Sequence, residues 1–232
     1  MTGKRLVQKL KLTQADFDAL QSAVKEAEKR TNGEIALAAV GESSDYSFHE
    51  LFAAVLLGAV TFAVMLPLYD PLARMIDRLF WHVPAWYLPA AYGFGSFAVI
   101  ALFFLIANIP AIDRLIIPPA VRRKAVYARS VRHFVESGVY GTKDRTGILI
   151  FISYMEHEVR ILADSGIRTK IDQEEWDAVA RAVADGVKAG NTATALAAAI
   201  KTCGDILAAH FPAKAENPNE LADGLVILEA GE

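Results

Sequence analysis

The sequence predicts an α/β fold: a small mixed sheet sandwiched by helices and interrupted by a two-helix transmembrane hairpin. Three observations carry that expectation. Two charge-free apolar runs, Leu51 to Tyr69 and Val83 to Ile112, sit in the middle of the chain. Well-capped helices with a single apolar stripe lie on both sides of them. Short, strongly apolar strands also occur on both sides, so one globular domain is split by the hairpin. The expected organisation is 1–47 as the first part of the domain, 48–112 as the hairpin, 113–212 as the second part and 213–232 as a tail.

The first helix opens at Thr13. Thr13 as N-cap and Asp16 three residues on form a capping box, with Asp in place of the usual Glu, and Leu12 and Phe17 supply the hydrophobic staple. Phe17, Leu20, Val24 and Ala27 make one stripe. Asn32-Gly33 ends the helix. Glu34 to Val40 (EIALAAV) then reads as a buried strand. Met1 to Leu12 is polar and basic, with no apolar segment after it that would make a cleavable leader.

A spanning helix needs about 20 apolar residues. The first run just reaches that, and the second has its core from Ala85 to Ile109. Trp81, Trp86, Tyr69 and Tyr87 gather where the runs face each other across the loop, as in an interfacial aromatic belt. Ala54 and Gly58, with Ala91 and Gly95, give small-xxx-small spacing for close helix packing. The alternative is a buried hairpin of a large soluble protein. Two such runs in so short a chain leave too little polar sequence to cover them. Arg74 and Arg78 in the loop Asp70 to His82 are balanced by Asp70 and Asp77. After the second run come Arg114, Arg122, Arg123, Lys124, Arg129 and Arg132, opposed only by Asp113. Basic flanks stay inside, so the expectation is a cell inner-membrane protein with two spans, both termini and the domain cytoplasmic.

Beyond the hairpin, Pro118-Pro119 precedes a basic helix from Ala120 to Ser137, with Gly138 as its C′ residue. This helix meets anionic lipid or sets topology rather than binding nucleic acid. Val139 to Thr146 is a loop, Gly147 to Ser153 (GILIFIS) a strand, Tyr154 to His157 a turn, and Glu158 to Ala163 the returning strand of a hairpin. Asp172 caps a helix that stops at Gly190, with an Ile171 to Trp176 staple. Asn191 or Thr192 caps the last helix, which runs to about Phe211 before Pro212. Leu225 to Leu228 could add a short strand or a docking segment.

Bulk properties exclude little. The chain has 232 residues, 53% hydrophobic and 22% charged, with net charge −3, which favours neither nucleic acid nor a strongly acidic substrate. A single cysteine, Cys203, rules out an intrachain disulfide and a multi-cysteine metal site. It sits in the apolar stripe of the last helix. The five histidines show no zinc spacing. Gly138, Gly141 and Gly147 match no P-loop or dinucleotide fingerprint, and Ser43 and Ser44 lack a nucleophile-elbow context.

One end of the sheet draws interest. With the first two strands parallel and the third antiparallel to the second, Glu34, Asp144 and Asp164 fall at the same sheet end, and Asp172 follows soon after. Such carboxylates would suit a hard cation, Ca²⁺ or Mg²⁺. Arg145 and Arg168 could pair with them instead. Asp144 also reads as part of a Lys-Asp-Arg turn, Asp172 as a simple N-cap and Glu34 as a solvated strand end.

The landmarks together resemble the TPM domain family. They are Leu12-Thr13 and its helix; Thr31-Asn32-Gly33-Glu34-Ile35-Ala36 into the first strand; Lys143-Asp144-Arg145-Thr146-Gly147-Ile148-Leu149-Ile150 into the second; Val159-Arg160-Ile161 and Asp164-Ser165-Gly166-Ile167 in and after the third; and the late Lys188-Ala189-Gly190-Asn191. The order of the motifs carries the likeness, which spans nearly all of the chain outside the hairpin. It is similar to bacterial TPM-domain membrane proteins with a hairpin after the first strand. The family's Asp-Asn-Gly-Val-Leu-Leu run is here Asp144-Arg145-Thr146-Gly147-Ile148-Leu149, with the Asn absent and one residue inserted. The resemblance implies divalent-cation binding, acid phosphatase activity, or assembly and repair of membrane complexes. Two functions follow as expectations: a membrane-anchored binding, assembly or maintenance module with a divalent-cation site, or a metal-assisted hydrolase of phosphatase type.

Overall fold

The computed structural model describes residues 1–80, 82, 84–107, 110–214 and 219–230. Trp81 of the expected aromatic belt, Val83 at the start of the second run and Ile109 at the end of its core lie outside these. The chain divides into two compact units, Met1–Asp45 with Ala120–Glu232, and Tyr46–Pro119.

In the first unit, α1 (Gly3–Lys9) is a helix where the sequence suggested only a polar, basic stretch. Its Leu6 is buried in the core, as is Leu10 one turn on, so this i, i+4 pair anchors the amino terminus. Next is α2 (Gln14–Glu28). Both bonds of its capping box are formed: the Thr13 hydroxyl accepts from Asp16 N–H, and the Asp16 carboxylate accepts from Thr13 N–H at 2.7 Å. The helix ends one turn before Asn32-Gly33. After β1 (Glu34–Val40) the chain leaves for the second unit and returns as α7, described below, then β2 (Gly147–Ser153) and β3 (Glu158–Ala163), both at the predicted bounds.

The sheet has order β3-β2-β1-β4, with β4 at Leu225–Leu228. β1 and β2 pair in parallel, Glu34 opposite Gly147 through Val40 opposite Ser153. β3 is antiparallel to β2, and β4 is parallel to β1. Alternation sends Ile35, Leu37, Ala39, Ile148, Ile150 and Ile152 to one core, and Ala38, Val40, Leu149 and Phe151 to another.

The first core is closed by α1, α2, α9 (Gln173–Ala189) and α10 (Thr192–His210). The second is closed by Val126 and Phe134 of α7 (Pro119–Glu136). Gly138, just beyond α7, has φ +82°, and Gly190 ends α9 with φ +76°, as left-handed helix stops. A short α8 (Ser165–Arg168) follows β3 and was not expected. Cys203 is fully buried on α10.

The second unit begins with α3 (Ser47–Met65). A 3-10 turn, Leu66–Leu68, leads straight into α4 (Tyr69–Leu79), so most of the expected loop Asp70 to His82 is helical. Then come α5 (Tyr87–Ala107) and α6 (Pro110–Ile116). By length and composition, Ser47–Leu79, Tyr87–Ile106 and Thr192–His210 could each cross a membrane. The third of these packs Leu196, Ile200, Cys203 and Leu207 into the first unit's core.

The packing of α3 on α5 is half as expected. Ala54 is buried, and a Cβ on Gly58 would collide with Ile100. On α5, however, Ala91 is exposed and a Cβ on Gly95 would meet nothing within 4 Å. The face α5 uses instead carries Leu88 and Tyr92. The Tyr92 hydroxyl donates to Met65 O at 2.7 Å, and its ring lies edge-on to Phe62. A large aromatic with a hydrogen bond therefore sets the contact, in place of a second small-residue stripe.

Candidate functional site

At the amino end of the parallel strands, the backbone brings Glu34, Asp144 and Asp164 to one place; Asp172 stands apart at the start of α9. Glu34 N–H donates to Thr146 O at 3.2 Å, Asp164 N–H to Gly147 O at 2.9 Å, and Gly166 N–H to Arg145 O at 3.1 Å. The side chains then take separate partners. The Asp144 carboxylate accepts from Lys214 Nζ at 2.7 Å and from the Asn32 amide. These two hydrogen bonds, Lys214 first, hold it below the usual carboxylate range. Asp164 caps α8: its Oδ1 accepts from Ser165 N–H at 2.5 Å and from the Ser165 hydroxyl at 3.0 Å. Its Oδ2 is buried without a hydrogen-bond partner among the described residues.

Glu34 is not a solvated strand end; it is buried. Burial pushes its carboxyl above the usual range, opposed by N–H groups of Glu220 and Leu221 that donate to it. Asp172 is exposed and caps α9 through its carbonyl, which accepts from Glu175 N–H at 3.2 Å; its side chain makes no capping bond. Arg145 turns to Tyr140, donating to its carbonyl at 2.6 Å with the guanidinium 4.5 Å from the ring centroid. Among the described residues, no three His, Cys, Asp or Glu side chains group as a metal ion would require.

No sequence pattern marks the second acidic group that lies beside Glu34. Glu28, in the last turn of α2, is buried and accepts from Ile35 N–H at 2.8 Å. Burial pushes its carboxyl up to about 8 against that hydrogen bond, and the nearby charges of Glu34 and Asp223 push the same way. Asp223 in turn accepts from the Asn219 amide at 3.0 Å and pairs with Lys25 at 3.6 Å. Glu220 accepts from Lys143 N–H at 2.9 Å. These contacts clasp the tail segment that leads into β4. Lys143–Glu220 and Lys25–Asp223 span 77 and 198 positions, beyond any local pattern.

The opposite sheet end holds a cleft of about 400 Å³, lined by residues of 152–159 and by Ala184, Asp185, Val187 and Lys188 of α9. It opens outside the carboxyl end of β2, where ligands of open α/β sheets characteristically bind. Ile152, Tyr154, Val159 and Val187 make the apolar lining, with His157, Glu158, Asp185 and Lys188 as polar groups. Beneath it, the Ser153 hydroxyl donates to Glu156 Oε2 at 2.6 Å and lies 2.6 Å from the Ser43 hydroxyl, while Ser43 N–H donates to Glu156 Oε1 at 2.9 Å. Both serines are buried. This network staples the β2–β3 turn to the chain after β1; neither hydroxyl has the exposed position of a nucleophile.

The architecture defines a class: a four-stranded mixed sheet with helices on both faces, a TPM-like fold. Residues 115–206 match the family model TPM_phosphatase, described as the TPM domain. Among solved structures, the NMR structure of the BA42 protein from the psychrophilic bacterium Bizionia argentinensis aligns with a TM-score of 0.53 at 18% identity, covering 93% of this chain and 94% of that one. At that identity the likeness concerns the fold alone. No curated protein matches the chain.

Proposed function

We propose that this protein is a membrane-anchored TPM-domain module that binds, assembles or maintains membrane proteins at the cytoplasmic face of a bacterial inner membrane. The observation that carries the reading is the interrupted strand pair. β1 and β2 pair residue for residue, so the chain on both sides of Tyr46–Pro119 lies in one compartment. Two spans within that insertion, one in Ser47–Leu79 and one in Tyr87–Ile106, return the chain to the same side; a single span would not. The basic residues from Arg114 to Arg132 favour the cytoplasm for that side. Partners are the bilayer and membrane proteins, with no nucleic acid.

The finer proposal is a Ca²⁺ or Mg²⁺ ion at Glu34, Asp144, Asp164 and Asp172. It requires Asp144 to exchange Lys214 and Asn32 for the ion. The buried Asp164 Oδ2 and Glu34 Oε2, which have no hydrogen-bond partner among the described residues, support it; the Lys214 and Asn32 partners of Asp144 weigh against it. A second reading, a metal-assisted hydrolase, is favoured by the phosphatase in the matched family's description. Phosphatase turnover and Ca²⁺ affinity of the full chain, wild type against the D144N/D164N double variant, separate these. The binding-module reading expects no turnover from either protein. Turnover that the double variant loses would replace it with the hydrolase. Absence of Ca²⁺ and Mg²⁺ binding by the wild type would remove the ion.

A further inference from the structure

The solvent-facing side of α7 has a composition that its place in the domain does not require. The helix buries Val126, Ser130 and Phe134 against the sheet. On its outer side Tyr127, the half-buried Val131 and Val135 follow one another at four-residue spacing and form one stripe. Tyr127 is 52% and Val135 56% exposed, and Ala120 and Ala128 lie exposed beside them. Arg123, Lys124 and Arg132 flank this stripe, all exposed, and among the described residues none of the three has an ion-pair partner. Arg160, whose guanidinium lies 5.5 Å from the Tyr127 ring centroid, is already paired with Glu158 at 2.8 Å and adds no net charge. Glu136, at the carboxyl end of the helix, is the one exposed acid on α7.

An exposed apolar strip with an aromatic ring and unpaired cations on its flanks is the pattern of a helix that lies in a bilayer interface. Anionic headgroups would neutralise three cations that have no ion-pair partner among the described residues. We infer that the outer face of α7 rests on anionic lipid headgroups, with Tyr127, Val131 and Val135 dipping to the acyl boundary and Arg123, Lys124 and Arg132 meeting the phosphates. This inference rests on the membrane-anchored reading. It adds a second, charge-dependent contact with the bilayer, formed by the domain itself.

The test uses the full chain in a Cys203→Ala background, with Ala128→Cys carrying an environment-sensitive fluorophore. The protein is reconstituted into vesicles of phosphatidylcholine alone or mixed with phosphatidylglycerol. The expected result is a blue shift in the anionic vesicles only, which reverses as salt is raised and disappears in R123E/K124E/R132E. Equal emission in the two lipids would overturn the inference, as would a shift that survives charge reversal. A shift in native membranes but not in anionic vesicles would assign the face to a protein partner and overturn it too. Should the triple variant fail to fold, the salt titration of the otherwise wild-type chain decides alone. A carbonate wash of the same membranes separates the two levels. A chain that washes off overturns the anchored reading and this inference together. A chain that stays bound while its label ignores lipid charge overturns this inference alone.

Discussion

The same residue types meet opposite surroundings in the two units. In the sheet domain Phe151 is 0% and Trp176 1% exposed. In the insertion Phe94 is 76% and Phe97 71% exposed, with Leu56, Val60 and Leu105 also outward. A water-soluble protein rarely leaves so many large apolar groups uncovered on neighbouring helices. The domain's fold is driven by removing apolar surface from water. The insertion keeps such surface on the outside and packs inward through Ala54, Gly58, Leu88 and Tyr92, as helices solvated by lipid do. The two units therefore follow different rules, and substitutions should tell them apart.

The largest effect is expected in the domain. Phe151→Ala should cost about 3–5 kcal/mol of domain stability by leaving a cavity between the sheet and α7, whereas Phe97→Ala should leave the domain's transition unchanged. Denaturant unfolding of both variants in detergent makes the comparison, and equal losses would break it.

The next effect reverses the order. Val60→Asp and Phe97→Asp should each oppose membrane insertion by about 2.5–3.5 kcal/mol, read as a fall in the carbonate-resistant fraction. An exposed domain substitution such as Tyr140→Asp should not move that fraction. A smaller effect probes the packing inside the insertion. Gly58→Val should cost about 1–3 kcal/mol because its new Cβ meets Ile100, while Gly95→Val, which meets nothing within 4 Å, should be neutral. Thermal aggregation of the two variants in detergent reports the difference.

The smallest effect is confined to the domain and depends on pH. The Glu28 carboxyl is raised from 4.5 to about 8 in the folded state. The folded chain thus holds a proton that the unfolded chain releases. Its stabilising contribution is full below pH 4.5 and is lost as pH rises through about 8. The slope should be at most about 1.4 kcal/mol per pH unit. Glu28→Gln should flatten it. A wild-type stability that rises over this window and is unaffected by Glu28→Gln would contradict the burial of this proton.

How much of this was legible in the sequence follows the range of the interactions. The Thr13 capping box, the strands Gly147–Ser153 and Glu158–Ala163 and the glycine stops at 138 and 190 rest on local patterns, whereas the parallel pairing of β1 with β2 follows from the helical crossover between them. α1 was hidden because Leu6 and Leu10 sit among basic residues and find their burial only against distant elements. The amino-end carboxylates were placed correctly along the backbone, but their partners were not readable. Asp144 meets Lys214, and Glu34 meets the N–H groups of Glu220 and Leu221, both from a tail with no pattern of its own. The cleft at the other sheet end was missed for the same reason: a turn and the end of α9, about 30 residues apart, make it together.

We propose that two spans interrupt one cytoplasmic domain, and Ile76 in α4 decides it. A single cysteine placed there in a Cys203→Ala background and treated in intact cells with a membrane-impermeant thiol reagent should be labelled from outside. A cysteine at Tyr140 should be labelled only after lysis. Labelling of position 76 only after lysis would contradict the account.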